Sequence, residues 1–577
     1  MTEGDSGMRL LEQAQLGPVA LRNRVIMAPM TTRQADADGC VTAASLAYYR
    51  ARALGGVGLV TVEMAAPERA GKHRLNELGL YDDRFLPGLT ELAQTIHDAG
   101  AKASIQIGHG GGHTRIDICG ETPIAPSALP HVVQEGHTET IIPEAMSLAR
   151  IAETRRAFAA AAVRAKRAGF DAVEVHGAHG YLISQFMTPL ENRRGDAYGG
   201  TLENRARFGL EVLEDIKNAV PDLAVVFRMN GDDFFDGGIG LDEAVTIAGW
   251  AARRGADAIH MTGGHYRSQP TAAIMIPPMA TEPAPFVRFA RAVKAVVDVP
   301  VIAVGRLGDP RDAVAAVQSN AADFVALGRP LLADPEWVRK VAAGAEVRRC
   351  LACNTCVDGM RTGAKLRCLV NPMTGREREF GGRPLARTGQ RIAVIGAGPA
   401  GLSYAALMAP ANAVTVFERA AEVGGGFRWA GLAPRFQSVE ARPGSFSAYL
   451  AALQRDCVAK GVSFRLACDP IRTPSLLQAF DHVVVATGAV YRSGLRVLIE
   501  ALLASGLARR WPLAAWGASD RFRDLFYHHL RRATGGDALE ALAGLRSVEI
   551  IGDAGTAGKS EVAILDAFRA AYGRGTA

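Results

Sequence analysis

The stretch VEVHGAHGYL, residues 173–182, decides the fold because it joins an apolar run to a glycine-rich loop that carries reactive groups. The apolar residues predict a buried strand that ends near His176. His176, His179 and Tyr181 then lie within six residues of one another in the predicted loop. Two imidazoles can polarise a carbonyl oxygen, and a phenol with a pKa of about 10 can donate a proton. The stretch therefore predicts a catalytic loop at a strand end, and a purely structural role for the histidines is the alternative.

Seven further apolar runs alternate with amphipathic segments across residues 1–345, which gives eight candidate strands. These strands are predicted at residues 24–29, 57–62, 103–107, 172–176, 224–228, 258–262, 301–304 and 324–327. Alternation at this spacing is typical of βα units, and eight units predict an α/β protein with an N-terminal TIM (β/α)8 barrel over residues 1–345. A doubly wound sheet is the alternative, but the nucleotide loop that it needs after its first strand is missing.

Glycine and arginine follow both of the last two predicted barrel strands. Gly305-Arg306 comes after the seventh strand and Gly328-Arg329 after the eighth. This is the usual place for a phosphate in a TIM barrel, where backbone N–H groups and guanidinium groups can face the dianion. The pattern predicts a phosphate-bearing cofactor, and ordinary turn glycines with solvated arginines are the alternative.

Four of the eight cysteines are concentrated in nineteen residues, at Cys350, Cys353, Cys356 and Cys368. Thiolates at this density suit a zinc ion or a 4Fe–4S cluster. Three closely spaced cysteines and one distant cysteine favour the cluster, whereas a zinc knuckle is the alternative. The other cysteines are scattered, which fits reduced thiols in the cytoplasm better than a disulfide framework. We therefore predict an iron–sulfur segment and connector over residues 346–388.

A second nucleotide motif begins at residue 391 with the sequence RIAVIGAGPAG. An apolar strand leads into Gly396, Gly398 and Gly401 of a GxGxxG pattern, with Ala400 inside it, and an alanine-rich helix follows. The next predicted strand ends in Glu418, where the dinucleotide fingerprint needs an acid for a ribose hydroxyl. The pattern predicts a Rossmann-like dinucleotide-binding domain over residues 389–577, and an unused Rossmann remnant is the alternative.

The stretch between Gly488 and Gly552 contains no second GxGxxG pattern. Its nearest glycine cluster, RRATGGD at residues 531–537, has no apolar strand leading into it. We therefore expect the subdomain that binds NAD(P)H in two-nucleotide flavoproteins to be shortened or absent.

Composition favours an ordinary enzyme with a small-molecule substrate. The net charge of +6 is spread over 577 residues, and no Lys/Arg run resembles a nucleic-acid stripe. The sequence shows no signal peptide and no apolar stretch long enough for a transmembrane helix. We expect a cytoplasmic protein that binds neither nucleic acid nor membranes, and the oligomeric state stays open.

The order of these motifs resembles the Old Yellow Enzyme family of FMN-containing oxidoreductases. The resemblance is carried by Ala28-Pro29-Met30-Thr31, by Ala125-Pro126-Ser127 and by the stretch from His176 to Tyr198. A barrel followed by four cysteines and a dinucleotide fold is similar to the long branch of that family, which includes 2,4-dienoyl-CoA reductase and trimethylamine dehydrogenase. The resemblance implies a barrel FMN, a 4Fe–4S cluster, and FAD, with ADP as an alternative, in the C-terminal domain.

The resemblance also implies a role for each candidate residue. Pro29, Met30 and Thr31 would lie at the flavin edge, and Gln106 and Arg228 would contact its pyrimidine ring. The FMN phosphate would be held by Gly305, Arg306, Gly328 and Arg329. His176 and His179 would bind a substrate carbonyl, Tyr181 would donate a proton, and His265 would lie near the active site. The FAD residues would be Gly396, Gly398, Ala400, Gly401, Glu418, Gly488 and Asp553, and the cluster ligands would be Cys350, Cys353, Cys356 and Cys368.

Two activities remain open within this resemblance. An ene-reductase would reduce an enone or enoyl double bond, and the His-x-x-His-x-Tyr loop supports it, because the amine dehydrogenases usually carry tyrosine where His176 stands. An amine dehydrogenase or N-demethylase would pass electrons to an external carrier such as an electron-transfer flavoprotein. The cysteine spacing and the missing NAD(P)H unit support this second activity, and they leave the binding of NAD(P)H uncertain.

Overall fold

The computed structural model describes residues 8–132, 140–436, 439–491, 496–525, 530–545 and 547–574. The chain forms two compact units. The first unit comprises Met1–Ala345 and Asn354–Leu366, and the second comprises Glu346–Cys353 and Arg367–Ala577.

Eight parallel strands of the first unit close into a barrel, which confirms the predicted TIM architecture. In chain order the strands are Val25–Met27, Leu59–Ala66, Lys102–Ile107, Ala172–Gly177, Ala224–Asn230, Ala258–Thr262, Val301–Val304 and Phe324–Leu327. The eighth strand pairs with the first, with Leu327 opposite Met27. Parallel strands are buried on both faces, and for that reason each one reads as a nearly continuous apolar run in the sequence.

An outer helix follows each barrel strand. The eight helices are Ala43–Leu54, Leu86–Asp98, Leu148–Arg167, Leu202–Ala219, Leu241–Arg253, Val287–Lys294, Pro310–Gln318 and Trp337–Ala342. Hydroxyl side chains cap several of their N-termini, as Ser147 does by accepting a hydrogen bond from the backbone N–H of Arg150. Such a cap satisfies one of the N–H groups that a helix start leaves without a partner.

Small apolar side chains fill the N-terminal half of the barrel interior. Ala172, Ala224 and Ala258 are fully buried there, in one cluster with Leu16 and Leu21. The two leucines belong to the hairpin formed by Ala14–Leu16 and Val19–Leu21. This end of the barrel is therefore a packed core, and the polar interior residues lie nearer the C-terminal ends of the strands.

The loops at the C-terminal ends of the barrel strands contain several short elements. Short helices are found at Arg69–Gly71, Asp83–Phe85, Gly111–His113, Ile116–Cys119, Leu182–Met187, Gln269–Met275 and Arg329–Ala333. Short strands are found at Leu78–Gly79, Ile124–Ala125, His131–Val132, Thr140–Ile141 and Glu144–Ala145. The unit also contains the helices Met8–Leu11 and Thr355–Arg361.

Five parallel strands form the central sheet of the second unit. Their spatial order is Ser463–Arg465, Ala413–Phe417, Arg391–Ile395, His482–Val485 and Val548–Ile550. Helix Pro399–Met408 follows the strand that leads into the glycine motif. The sheet order places the strand with the glycine motif in the middle, as a dinucleotide-binding fold requires, and this confirms the predicted Rossmann-like class.

The predicted loss of a second nucleotide subdomain is also confirmed in the part of the chain that the structure describes. Between His482–Val485 and Val548–Ile550 the described residues form helices Arg496–Ala504, Leu513–Ala518, Asp520–Asp524 and Gly535–Ala541 and the short helix Leu507–Arg509. The strands found there, Ala489–Tyr491 and Arg531–Ala533, pair with each other antiparallel. They cannot form a βαβ unit, which needs parallel strands.

The remaining elements of the second unit are short or peripheral. Helices lie at Glu377–Phe380, Ala409–Ala411, Phe427–Ala430, Pro443–Ala459, Pro474–Leu477, Gly552–Ala554 and Ser560–Ala571, and the strands Arg435–Phe436 and Val439–Glu440 pair antiparallel. Across the described ranges of both units, no helix combines the length and the apolar character that crossing a membrane would require.

Candidate active site

A layer of polar side chains crosses the barrel interior near the C-terminal ends of the strands. Glu174 lies at its centre and is almost fully buried. Its carboxylate accepts hydrogen bonds from Nε2 of Gln106 at 2.7 Å and from Nδ1 of His260 at 2.8 Å, and it lies 3.6 Å from the Arg228 guanidinium. Burial alone would raise the pKa of Glu174, but His260 and Arg228 lower it to about 2. The layer therefore holds one fixed negative charge beside a buried cation.

Two predicted flavin residues, Gln106 and Arg228, lie in this layer. Arg228 is buried, and its Nε atom makes no hydrogen bond to any described residue. A buried guanidinium with an unsatisfied donor fits an electron-rich acceptor, such as the pyrimidine ring of a flavin. Pro29, Met30 and Thr31 follow the first barrel strand and remain half-buried among buried neighbours. The residues present therefore fit an FMN at this end of the barrel.

The predicted phosphate residues Gly305 and Arg306 follow the seventh barrel strand, and Gly328 and Arg329 follow the eighth. Gly305 has a φ of +105°, and a Cβ at that position would lie 2.7 Å from the ring of Phe286. The side chains of Arg306 and Arg329 donate hydrogen bonds to carbonyl groups, to Pro278 at 2.8 Å and to Pro277 at 2.8 Å respectively. Both guanidinium groups are thus held by the loop after the sixth strand. Their contact with a phosphate stays a prediction.

The catalytic loop brings His176, His179 and Tyr181 together, as the sequence suggested. The ring centroid of His176 lies 5.1 Å from that of His179 and 5.0 Å from that of Tyr181. The turn that allows this has a φ of +66° at His179 and of +82° at Gly180. Thr262 lies 3.1 Å from Nε2 of His179 and fixes the orientation of that ring. The three side chains form one group at the end of the fourth barrel strand.

Burial and charge keep both imidazoles of this loop neutral. Desolvation and the nearby Arg228 guanidinium lower the pKa of His176 and of His179 well below the usual histidine value. A neutral imidazole carries one N–H and can still donate a hydrogen bond to a carbonyl oxygen. Burial likewise raises the pKa of Tyr181 well above the usual phenol value, so that it keeps its proton at neutral pH. The loop therefore offers three hydrogen-bond donors and no charge of its own.

The structure adds three residues that the sequence reading missed. His73 lies with Nε2 3.0 Å from the Tyr181 hydroxyl, and its Nδ1 lies 2.9 Å from the carboxylate of Glu77. Arg74 donates from Nε to the same His73 Nε2 at 3.1 Å. That nitrogen therefore acts as an acceptor, and the imidazole proton faces Glu77. The only sequence signal for this group was the polar stretch HRLNE in the loop after the second strand.

An apolar wall lies beside the catalytic loop. It consists of Met64, Tyr266, Ala272 and Met275, which form one cluster with Tyr181. The ring of Tyr266 lies 5.5 Å from that of Tyr181, and its hydroxyl is 3.5 Å from the Arg74 guanidinium. Such a wall suits a flat, largely apolar substrate.

His265, the fourth predicted catalytic residue, lies to one side of this group. Its Nε2 is 3.3 Å from the Glu191 carboxylate, and its Nδ1 accepts the backbone N–H of Arg267 at 3.0 Å. Within the described residues, no ring contact joins His265 to His176 or Tyr181. A catalytic role for His265 therefore stays a prediction.

The second unit places its predicted nucleotide residues around the glycine motif. A Cβ at Gly396 would lie 2.4 Å from the carbonyl oxygen of Ala486, and one at Gly401 would lie 2.1 Å from that of Gly396. At Gly398 no heavy atom lies within 4 Å of such a Cβ, so that a dinucleotide backbone can approach there. Glu418 directly follows the strand Ala413–Phe417, and its carboxylate accepts the N–H of Ala397 at 2.9 Å. The motif therefore fits a dinucleotide.

The remaining predicted nucleotide residues follow two further strands of the sheet: Gly488 follows His482–Val485, and Gly552 and Asp553 follow Val548–Ile550. A Cβ at Gly552 would lie 3.1 Å from that of Ala400, and the neighbouring Asp553 is paired with Arg531. Gly488 has a φ of +76°, and its carbonyl accepts a hydrogen bond from Thr534 at 2.7 Å. Which nucleotide these residues bind stays a prediction.

The four cysteines of the predicted cluster are all half-buried. Cys350, Cys353 and Cys368 belong to the second unit, whereas Cys356 lies in the helix Thr355–Arg361 of the first unit. The backbone N–H of Ala352 lies 3.4 Å from Sγ of Cys350, a contact that suits a thiolate ligand. Iron–sulfur ligation by the four thiolates stays a prediction.

Comparison with known proteins gives one family match for each of the two units. Residues 9–347 match the NADH:flavin oxidoreductase / NADH oxidase family, and residues 394–429 match an NAD(P)-binding Rossmann-like domain. An NADH oxidase of Thermoanaerobacter brockii is 40% identical over 74% of this chain and 65% of its own length. A metal reductase of Desulforamulus reducens is 37% identical over 83% of this chain and 70% of its own length. The chain thus spans about two thirds of the length of these relatives.

Solved structures match the chain over nearly its full length. The structure of a 2-naphthoyl-CoA reductase in complex with 2-naphthoyl-CoA has a TM-score of 0.87 and 23% identity, and it covers 98% of this chain and 99% of its own. A histamine dehydrogenase from Rhizobium sp. 4-9 has a TM-score of 0.83 and 22% identity, and it covers 99% of this chain and 97% of its own. Identities this low support the shared fold alone.

Proposed function

The chain belongs to the NADH:flavin oxidoreductase / NADH oxidase family and is a flavin-dependent oxidoreductase, and from this premise we propose that it reduces an activated carbon–carbon double bond. The substrate would be an enone or an enoyl thioester, which is a small molecule with a carbonyl group next to the double bond. When bound in the barrel, FMN would supply hydride to the β-carbon of this substrate.

The observation that carries the proposal is the neutral group His176, His179 and Tyr181. The first two side chains can donate hydrogen bonds to a carbonyl oxygen, and this stabilises the negative charge that develops there during hydride addition. The phenol of Tyr181 can donate a proton to the α-carbon. These two tasks together complete the addition of two hydrogens across the double bond.

His73 and Glu77 position the hydroxyl group of Tyr181. The hydroxyl lies 3.0 Å from Nε2 of His73, whose other nitrogen lies 2.9 Å from Glu77. All three side chains are buried. We propose that His73, held beside Glu77, accepts a hydrogen bond from the phenol and so orients it, and that the proton the phenol gives up is replaced from solvent.

The charges around the pocket favour a substrate that becomes negative. Arg228 and Arg74 are both buried, and the latter lies beside the Tyr266 hydroxyl of the apolar wall. An enolate that forms on the reduced substrate would be attracted by these guanidinium groups.

The electron source is proposed to be NADH or NADPH, with electrons reaching the barrel through FAD and a 4Fe–4S cluster. Gly398 supports the dinucleotide, because its surroundings leave room for a close approach. The four thiolates support the cluster, which can relay single electrons where closed-shell zinc cannot. We further propose a cytoplasmic location, because Cys40, Cys119, Cys457 and Cys468 form no disulfide bonds, as is usual for proteins of that compartment.

A second candidate is an amine dehydrogenase or N-demethylase that delivers electrons to an external carrier. The feature that favours it is the segment between His482–Val485 and Val548–Ile550, whose described part lacks a parallel βαβ unit for NAD(P)H. Its substrate would lose hydride from a carbon next to nitrogen and would gain positive charge.

Anaerobic mixing distinguishes the two candidates. The purified protein with its cofactors is mixed with NADH, with NADPH or with trimethylamine, and the flavin absorbance is followed. We expect a pyridine nucleotide to bleach the flavin and 2-cyclohexen-1-one to restore the absorbance. Bleaching by the amine alone, with no reoxidation by the enone, would overturn the proposal in favour of the second candidate.

A further inference from the structure

A second group of chemically reactive side chains lies in the barrel loops, outside the catalytic group. His113 ends the short helix Gly111–His113, His131 lies in the short strand His131–Val132, and Glu191 follows the helix Leu182–Met187. Their exposed fractions are 0%, 2% and 3% respectively. One nitrogen or oxygen atom of each residue lies within 4.8 Å of the others.

The imidazoles of this group present unused nitrogen atoms. Nδ1 of His113 lies 2.7 Å from the carbonyl oxygen of Val132 and donates to it, which leaves the lone pair of Nε2 available. That Nε2 atom, and both ring nitrogens of His131, make no hydrogen bond to any described residue. The two rings are held nearly perpendicular, at 85°, with their centroids 5.0 Å apart.

The carboxylate of Glu191 is also short of partners. Its Oε2 atom accepts no hydrogen bond from any described residue, and the nearest imidazole, that of His265, has Nε2 at 3.3 Å. The guanidinium of Arg267 is farther away, at 3.9 Å. Leaving a buried polar atom without a hydrogen bond costs about 1–3 kcal/mol, and this group contains four such atoms: Nε2 of His113, both ring nitrogens of His131 and Oε2 of Glu191.

We propose that His113, His131 and Glu191 bind a divalent transition metal ion of the zinc class. Two imidazole nitrogens and one carboxylate oxygen form a donor set that suits zinc, whereas magnesium and calcium prefer oxygen ligands alone. In a tetrahedral site with bonds of about 2.1 Å, the ligand atoms are about 3.4 Å apart. The ligand atoms lie within 4.8 Å of one another, so the side chains would have to close by up to about 1.4 Å around the ion.

His265 supports this site from behind. Because its Nδ1 accepts the N–H of Arg267 at 3.0 Å, a ring proton sits on Nε2, 3.3 Å from the Glu191 carboxylate. The carbonyl group of Val132 likewise fixes the orientation of the His113 ring, because it accepts a hydrogen bond from Nδ1. Neighbouring groups that fix the orientation of ligands in this way are typical of metal sites in proteins.

The ion would tie together loops that follow the third and fourth barrel strands. The ring of His113 lies 6.1 Å from that of Tyr266, which in turn lies 5.5 Å from that of Tyr181. The metal would therefore hold one wall of the catalytic pocket in place. This role is independent of the reaction that the pocket performs, so the site can be tested separately from the proposed function.

The test uses the full-length protein without a histidine tag, with its cofactors bound. It is incubated with zinc sulfate, passed through a desalting column, and analysed for zinc by mass spectrometry and by X-ray absorption at the zinc edge. We expect about one zinc per chain with a shell of nitrogen and oxygen at about 2.0–2.1 Å. A shell dominated by sulfur at about 2.3 Å would assign the zinc to the thiolates and overturn the proposal.

Three variants accompany the wild type. Zinc content should fall at least tenfold in His113→Ala and in Glu191→Gln, and it should be unchanged in His97→Ala, which removes an imidazole of an outer barrel helix that contacts Asp171 instead. A wild-type protein that retains no zinc, or a Glu191→Gln variant that retains it fully, would overturn the proposal. If the first two variants do not fold, the wild-type stoichiometry and absorption spectrum still decide the question.

Discussion

Tyr181→Phe removes the hydroxyl that we propose as the proton donor and leaves the aromatic ring in its packing. The ring is buried against His176, Tyr266 and Met64, so the substitution should preserve the fold. The lost hydroxyl lies 3.0 Å from Nε2 of His73. A positioned general acid typically contributes about 10²- to 10⁴-fold, which corresponds to about 3–5 kcal/mol of the activation barrier.

The assay separates the two half-reactions under anaerobic conditions. Flavin reduction should keep its wild-type rate, because it does not need the phenol. Reoxidation by 2-cyclohexen-1-one should slow by about 10²- to 10⁴-fold. Tyr198→Phe is the matched control, because the Tyr198 hydroxyl bonds Glu211 at 2.8 Å and takes no part in the catalytic group. If reoxidation in Tyr181→Phe stays within about threefold of the control, Tyr181 is not the donor.

The same reasoning predicts how Tyr181 is coupled to His73. Because the two side chains share one hydrogen bond, His73→Gln should slow reoxidation, and the double variant should be little slower than Tyr181→Phe alone. Fully additive losses in the double-mutant cycle would show that the two residues act separately.

Three further predictions concern the rest of the molecule. Glu174→Gln should destabilise the protein by about 3 kcal/mol at pH 7, because the pKa of Glu174 in the folded state, about 2, lies below the usual 4.5. The ionised carboxylate contributes this stability above pH 4.5, and the contribution is lost as the pH falls towards 2. The difference in the free energy of urea unfolding between wild type and variant should therefore shrink on acidification. Cys353→Ala should lose the iron and acid-labile sulfide of the cluster while the barrel flavin stays bound, and four irons per chain in that variant would refute the ligand assignment. Gly398→Val should fold, because no atom lies within 4 Å of its Cβ, yet lose the C-terminal nucleotide, as shown by chromatography of the released cofactors; an unchanged nucleotide content would place the binding surface elsewhere.

The barrel could be predicted from the sequence because its strands carry a strong local signal. Residues 224–228 and 301–304 are buried on both faces, so they read as unbroken apolar runs. The glycine motif at Gly396 was equally clear, because the close approach of Ala486 at that position tolerates no side chain. In these cases one short stretch of sequence contains the whole physical reason for the structure.

The partners within the site could not be predicted, because they depend on contacts between distant parts of the chain. His73 and Tyr181 share a hydrogen bond across 108 residues of sequence, and His260 and Glu174 do so across 86. Nothing in either stretch alone indicates the other. The same holds for Asn354–Leu366, which joins the barrel unit partly because the carbonyl of Met360 accepts a hydrogen bond from Arg33.

The charge of the pocket bears on the choice between the two candidate reactions. Oxidation of an amine places positive charge on the substrate, and reduction of an enone places negative charge on its oxygen. A unit charge about 6 Å from a single guanidinium gains or loses about 3 kcal/mol at an effective dielectric constant of about 20. Arg228 lies in the barrel layer, where Glu174 is paired with it and with His260, and Arg74 lies beside the apolar wall, where the neighbouring Glu77 is paired with His73. This electrostatic energy stabilises the transition state of enone reduction and destabilises that of amine oxidation. Arg74→Met should therefore slow enone reduction and should not slow amine oxidation. The reverse pattern in paired turnover assays would favour the amine dehydrogenase.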